Sequence, residues 1–591
     1  MSSETFTQEI KQNEIKKDEE KQINYKIKID DRSYTKYSYL NALLLKEVTD
    51  MPYDISPIKY KLFNYDIINY FPESNTVNLL HSSVRSMPTI PGVLMLESNK
   101  RYGKLKQKYL YKCIPDDRRL PEFLVPYNYK SGFNKKKHNK YIVFKFREWN
   151  SKHPIGTIVQ VIGDVEDLTC FYEYQLYCKS LYASIQDFNK KTLRALRVKS
   201  QDEYIDQINK TYNIENRLDK DVITIDSKNS TDFDDALGVT YIEDKIILSV
   251  YISNVSFWLD TLNLWDSFSK RIATIYLPDR KRPMLPTILS EGLCSLIENT
   301  VRYVLTLDVH IDKKTYEIID VKFCNSSIKV RKNMRYNDKE LCKDKLYSEL
   351  FNVCSNLNRK NKYVENISTA HDVIAYAMIL MNYYSAKVFH KNKSGIFRTA
   401  KIGRTVNYPE NLSGDVKKFL KIWNSGGGCY CKFDKFESHD ILEFDAYVHV
   451  TSPIRRLVDL LMLINISRID DSLTTLSRNA YDFYDRWTSD ESIDYINQTM
   501  ISIRKVQNDA SLLKVCIENC ENLNNVYRGI IFDKIVRNDA LYQYMVYIPS
   551  MKLVNRITTR HDKEIFNEYE FKMYIFLDET RMKKKIRLEI M

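Results

Sequence analysis

The stretch from Asp221 to Leu237, DVITIDSKNSTDFDDAL, places Asp226, Asp232, Asp234 and Asp235 within ten residues. Four carboxylates this close repel one another unless a cation sits among them. Hard divalent ions such as Mg²⁺ take oxygen ligands of this kind and leave positions open for phosphate oxygens. A solvated acidic loop is the alternative that the residues alone leave open. An EF-hand is excluded: counting from Asp226, the third residue is Lys228, the sixth is Thr231 rather than Gly, and the twelfth is Leu237 rather than Glu. The β-branched run Val222, Ile223, Thr224, Ile225 reads as a short buried strand that empties into this loop.

A second candidate lies in AYVHVTSPIRRLVDLLMLINI, residues 446–466. Here Thr451 or Ser452 would cap a helix with Pro453 in its first turn. Arg455 and Arg456 would then lie in that same turn, where cations oppose the helix dipole unless something anionic faces them. A helix N-terminus with two guanidinium forks makes a phosphate cradle. Asp459 is the competing partner, three or four residues on. A mixed arrangement, with one arginine on Asp459 and the other on phosphate, also stays open.

TIDSKNSTDFDDAL resembles the signature of the RNase II / RNase R (RNB) exoribonucleases, with all four acids at the family spacing. Between the two candidate stretches, TIYLPDRKRPMLPTILSEGLCSL matches the family's YLP…PMLP…LS…LCSL pattern, and the acids and arginines recur in order some 220 residues apart. The resemblance implies an α/β multidomain protein: N-terminal cold-shock-type OB barrels, a central mixed α/β RNB domain and a C-terminal OB-type barrel. It implies a processive 3′-to-5′ exoribonuclease, a monomer that hydrolyses single-stranded RNA to nucleoside 5′-monophosphates with one or two Mg²⁺ ions, or Mn²⁺. Carried onto this chain, it makes Asp226, Asp232, Asp234 and Asp235 metal ligands and makes Asp234 and Arg455 catalytic. It places Tyr276 on the 3′-terminal base and Arg456 on the substrate. Without the resemblance, a lone Tyr before Leu-Pro reads as a core residue. Arg280, Lys281 and Arg282 read either as contacts along the RNA backbone or as surface charge. The family usually continues after the arginines with an aromatic residue and Gly or Ala, and later a His-Arg pair. This chain has Leu457, Val458, Leu463 and Ile464 instead. These departures keep a second reading in view, a catalytically inactive RNA-binding protein on the same fold.

The rest of the chain must position these residues. Its 591 residues suffice for several domains, and 43% hydrophobic with 28% charged residues exclude a fibrous or wholly disordered protein. A net charge of +13 suits a polyanionic partner. The 11 cysteines include no CxxC pair, only Cys429-x-Cys431 and, four apart, Cys516 and Cys520, so no four-ligand zinc set is spelled out. The N-terminus is charged, without a secretory pattern, and no apolar run approaches the roughly 18 residues of a membrane helix. A cytoplasmic protein without a membrane partner is the expectation.

The boundaries read as a charged tail over 1–24, a first cold-shock-like OB domain over 25–95, a second over 96–189, the RNB domain over 190–521 and a C-terminal barrel over 522–591. The short tail leaves no room for the extra nuclease domain of exosome-bound relatives, so neither endonuclease activity nor obligate exosome docking is expected. Lys135, Lys136 and Lys137 beside Tyr127, Tyr129, Phe133 and Tyr141 fit a basic, aromatic single-strand platform, or a solvated lysine loop. Lys583 to Lys585 with Arg587 offer the same choice on the last barrel. KIILSVYISNVSFWL reads as one buried strand, LWDSFSKRIA as a helix, and AHDVIAYAMILMNYYSAKVF as a helix buried on both faces, leading into SGIFRTAK.

Overall fold

The alternating strands between Lys108 and Asp164 close into a barrel. In the computed structural model, which describes residues 24–591 apart from 44, 49–54, 72–75, 130–136, 404–406, 426, 471–472, 474, 519–524 and 580, Ile90–Leu94 pairs with both Lys140–Glu148 and Lys108–Pro115. Phe123–Tyr127 and Ile155–Asp164 complete the ring, meeting each other in parallel at Leu124 and Ile155. A closed, five-stranded barrel of this kind is an OB-type fold. Its interior holds Tyr111, Cys113, Phe123, Val125, Ile142 and Phe144. Closure requires Gly156 at a register shift, because a Cβ there would meet the Phe144 ring at 2.6 Å. The strand Ile90–Leu94 falls in the first barrel on the sequence boundaries, yet its pairing puts it in the second, whose ring cannot close without it.

Ahead of it, Tyr37–Asn41, Asn24–Ile29, Ile67–Phe71 and Thr76–His81 form an antiparallel four-stranded sheet in that order. Its core is continuous with that of the second barrel: Phe63 stacks on Phe123 with centroids 5.9 Å apart and lies 4.9 Å from Trp149. The charged tail, and Phe133, Lys135 and Lys136 of the proposed platform, lie outside the described residues. The C-terminal strands form an antiparallel sheet in the order Leu553–Thr559, Tyr542–Ile548, Val526–Val536, Glu568–Asp578, Lys583–Ile590. These parts make up one compact unit, Met1–Tyr182 with Leu512–Lys563 and Glu568–Met591; Ala183–Ser511 with Glu564–Asn567 make up the other.

Of the basic run on the last strand, which reads either as RNA contacts or as a solvated edge, Lys583 turns inward. It is 6% exposed, lies 2.6 Å from Asp116 and sits 5.2 Å from the Tyr174 ring centre. Lys585 is paired with Asp578.

The second unit is built on a seven-stranded sheet. Its order is Glu215–Asn216, Ile318–Lys329, Val301–Asp312, Lys245–Ser253, Asp235–Ile242, Ile223–Asp226, Lys332–Arg335. The helix Ala370–Lys391 carries a Thr369/Asp372 capping box and buries residues on both faces, as its composition requires. KIILSVYISNVSFWL divides: the strand stops at Ser253, and Val255–Thr261 is a helix that buries Phe257, Trp258 and Leu259. Alternating apolar residues fit both periods over so short a run, and here the tertiary contact decides. LWDSFSKRIA is not a helix beyond the turn Trp265–Ser267. Its C-terminal residues are drawn into extended pairing instead, Ile272 O accepting Leu457 N at 2.8 Å and Ala273 bridging Arg456, and the next residue, Thr274, donates its N–H to Arg455 O at 2.9 Å.

Replacing Lys583 by Met strands the Asp116 carboxylate in a buried setting. A loss of roughly 3 kcal/mol in unfolding free energy is expected from denaturant titration, against less than about 1 kcal/mol for the half-buried Lys584→Met.

Candidate active site

The strand Ile223–Asp226 delivers Asp226 at its end, and the chain returns through the loop to begin the strand Asp235–Ile242 at Asp235. The two strands are neighbours in the sheet, paired at Ile223 and Leu237, so their acids come to the same end of it. The intervening loop is pinned from the LCSL segment. Ser295 Oγ accepts the Phe233 N–H at 2.9 Å and donates to Thr231 O at 3.1 Å, while Leu296 N donates to Phe233 O at 3.0 Å. Asp234 is thereby buried, at 3% exposure.

The acids have different partners. The Asp234 carboxylate accepts the Ile454 N–H on one oxygen at 2.9 Å and Arg455 Nε on the other at 3.0 Å. Asp232 accepts Lys281 Nζ at 2.8 Å and the Tyr276 hydroxyl at 3.3 Å. Burial pushes Asp226, Asp234 and Asp235 each up to about 7, and they raise one another, Asp234 acting on Asp226 and Asp226 on Asp235, while Arg455 pulls all three down. Among the described residues the loop does not bring three acidic ligand oxygens within 4.8 Å of one another; the group that meets this spacing is Glu97, His138 and Glu166 in the other unit.

The arginines sit differently from the sequence expectation. The helix runs over Leu457–Ile469 with Arg456 as its cap residue, so neither arginine lies in the first helical turn. Residues 451–456 form a tight turn in which Arg455 N and Arg456 N both donate to Ser452 O. Arg456 Nη2 binds Asp459 at 2.7 Å, and the same carboxylate oxygen accepts Ser452 N at 2.8 Å. Arg456 therefore faces Asp459 and braces the turn, while Arg455, at 45% side-chain exposure, reaches Asp234. Leu457, Val458, Leu463 and Ile464 are all buried on the helix, so the departures from the family pattern fall in the core.

Tyr276 is 42% exposed and belongs to a hairpin in which it pairs with Lys281. Its N–H is held by Gln507 Oε1 at 3.0 Å. The neighbouring basic residues are not free to follow RNA as a row. Lys281 is committed to Asp232 and Glu291, and Arg282 is buried on Asp279 at 2.6 Å. Only Arg280 of the three is largely exposed.

Sequence reasoning left Asn382 without a role and passed over Tyr336. Asn382 accepts Val450 N at 2.9 Å and donates to the Tyr447 hydroxyl at 3.0 Å, fixing the approach to the arginine turn. Tyr336 follows Arg335, whose strand pairs with Asp226, and its hydroxyl is pushed up to about 12 by burial and then by Asp235 and Asp226. The YLPDRKR turn carried a usable signal, since a two-sided hairpin must set Lys281 beside Tyr276. Asn382 is noticeable as a polar residue in an apolar helix but carries no role on sequence alone, and nothing local marks Tyr336.

The family model for the RNB domain matches residues 215–346, and that for the Dis3-like cold-shock domain 2 matches residues 110–171. In these two segments the chain is similar to the RNB exoribonucleases. Ribonuclease R of Helicobacter pylori is 28% identical over 377 residues, covering 51% of this chain and 55% of that protein, so the match spans about half the length of the relative. The RNB fold is shared with Mycoplasma genitalium RNase R solved with ribose-methylated single-stranded RNA: TM-score 0.67, 16% identity, 96% of this chain and all of that one. Yeast Ssd1, described as a pseudonuclease, also shares it, with TM-score 0.57 and 13% identity over 91% of this chain and 79% of that one.

The donor chemistry fits a hard divalent ion. All donors are carboxylate oxygens, and three of them are lifted to about 7 by burial and mutual repulsion, a cost that a bound cation would remove. An acid lifted from about 4 to about 7 keeps, in the native state, a proton that the unfolded chain has already released. Stability is then greatest below about pH 4 as far as these groups act, and falls as pH rises through about 7. In EDTA the melting temperature is expected to drop between about pH 5 and about pH 8, and Asp226→Asn or Asp235→Asn is expected to flatten that drop in a thermal-shift series.

Proposed function

We propose that this protein is a divalent-metal-dependent, processive 3′-to-5′ exoribonuclease that hydrolyses single-stranded RNA to nucleoside 5′-monophosphates. The observation that carries the reading is the joint Asp234–Arg455 contact, in which Ile454 N–H and Arg455 Nε close both oxygens of one carboxylate across 220 residues of sequence. The RNB family match and the Ribonuclease R relatives support RNA cleavage as the activity.

Asp226, Asp234 and Asp235 would hold Mg²⁺, or Mn²⁺. When bound, such an ion supplies a nucleophilic water at neutral pH and neutralises charge on the phosphate. The protein's own groups do the rest. Arg455 spends its Nε on Asp234, which fixes the guanidinium and directs its Nη groups to a phosphate oxygen, where they stabilise the charge that develops during displacement. Arg456 and Asp459 keep the turn that carries Arg455 in place. Tyr276 offers an exposed ring beside the acids for the 3′-terminal base, so that the last phosphodiester is presented to the site. The N-terminal and C-terminal barrels, over 25–189 and 522–591, would bind the incoming strand.

A time course on 5′-labelled single-stranded RNA tests the reading. Wild type with Mg²⁺ is expected to collapse the substrate to a very short end product without intermediates, and EDTA to stop it. Asp234→Asn should abolish shortening while RNA affinity stays close to wild type. Arg455→Ala should lower kcat by about a hundred- to a thousandfold. Binding without shortening in wild type and variants alike would select the other reading, an RNA-binding protein that keeps the fold without turnover, which the buried Leu457 and Val458 after the arginines favour.

A further inference from the structure

Lys281 stands apart from the other cations around the aspartate loop, because every proton of its ammonium has an acceptor. An ammonium has three donors. Lys281 Nζ reaches Asp232 Oδ1 at 2.8 Å, Glu291 Oε1 at 2.7 Å and Thr231 Oγ1 at 2.5 Å. The side chain is 22% exposed and that of Asp232 is 8% exposed, so the pair is largely out of water. Its carboxylate partners hold Lys281 above the ordinary lysine range against the opposing effect of burial. The second oxygen of Asp232 takes the Tyr276 hydroxyl, and the hairpin register sets Tyr276 and Lys281 side by side.

Asp232 and Asp234 are each used on both oxygens, but Asp234 meets a backbone N–H and a single guanidinium nitrogen, whereas the cation on Asp232 is an ammonium locked by three acceptors. A divalent ion seeking Asp232 would have to displace a charged ammonium with three hydrogen bonds in a site where lost bonds to charged groups are costly.

We propose that Lys281 is a built-in counter-cation that withdraws Asp232 from the divalent-ion site and uses it to hold Tyr276, so that the loop takes up one divalent ion, on Asp226, Asp234 and Asp235. The inference rests on the metal-dependent reading above. Asp232 and Lys281 are then positioning residues: they set the ring that receives the 3′-terminal base, while the ion count is set without them.

The test is a Mn²⁺ titration of the full chain without RNA, followed by calorimetry and by the electron paramagnetic resonance of free Mn²⁺. Wild type is expected to bind one ion. Asp232→Asn should keep that stoichiometry with affinity within about threefold, whereas Asp235→Asn should weaken binding at least about tenfold. Lys281→Met, by releasing Asp232, should tighten Mn²⁺ binding or add a second ion. In EDTA, an RNA ending in 2-aminopurine should be less quenched by Asp232→Asn than by wild type, towards the level of Tyr276→Ala. Loss of Mn²⁺ binding in Asp232→Asn as large as in Asp235→Asn would overturn the proposal alone, as would a folded Lys281→Met variant that binds Mn²⁺ as wild type does. A wild type that takes up no Mn²⁺ would overturn the metal reading, and this proposal with it. If Lys281→Met fails to fold, the Asp232→Asn and Asp235→Asn comparison still decides.

Discussion

Like charge held out of water is the constraint around which this domain is arranged. Two unit charges about 4 Å apart repel by about 4 kcal/mol at an effective dielectric of about 20, and burial adds its own penalty for each ionised group. The Asp226–Asp235 loop accepts both costs, which is why three of its acids are lifted to about 7. The surrounding charges are distributed accordingly. Arg455 sits on Asp234, Lys281 on Asp232 and Arg456 on Asp459. His449, buried close to Arg456 and Arg398, is driven well below its ordinary range and stays neutral, sharing a hydrogen bond with the Tyr430 hydroxyl. Arg398 and Arg335 instead donate to backbone carbonyls of Gly427 and Ser227, and Asp226 and Asp235 are offset by the charge of Arg455, with Arg335 acting on the first and Arg456 on the second.

Such a charge layout works only if its parts are held against their own repulsion, and backbone pairing supplies the hold. Residues 272–274 run beside 455–457, so the segment leading into Tyr276 and the turn bearing Arg455 are hydrogen-bonded directly to each other. Asn382, on a helix buried on both faces, grips Val450; Asp459 grips Ser452; Ser295 grips the aspartate loop. The helix Leu457–Ile469 is buried from Leu457 through Ser467, which anchors the arginine turn in the core rather than on a mobile surface loop. Catalytic geometry placed on rigid elements in this way is what positioning requires.

The same fold is found in an RNase R and in a protein described as a pseudonuclease, so the scaffold by itself does not decide between cleavage and binding. The decision falls to the site. Leu457, Val458, Leu463 and Ile464 are buried on the helix behind the arginine turn, and the Asp234 contacts to Ile454 and Arg455 are formed.

Much of this was legible in the chain itself. The spacing of Asp226, Asp232, Asp234 and Asp235 after a β-branched strand, and of Arg455 after Thr-Ser-Pro, named the charged groups, because charge and short-range periodicity are local properties. The strands of the second barrel and the long helix from Ala370 were readable for the same reason. What each charge binds was not, apart from Asp459 as the partner of one arginine, which the structure gives to Arg456. Lys281 looked like one of three surface cations, Lys583 like an RNA contact, and Arg455 and Arg456 like a helical turn. Their partners lie 49, 467 and up to 221 residues away for Asp232, Asp116 and Asp234. The strand Ile90–Leu94 was assigned to the wrong barrel, and 255–259 read as strand, because a short apolar run satisfies either neighbour until packing selects one. The sequence determined which groups this protein can use; the tertiary structure decided which charges neutralise each other, since electrostatic pairing depends on distance in space and on burial, and neither is written in the order of the residues.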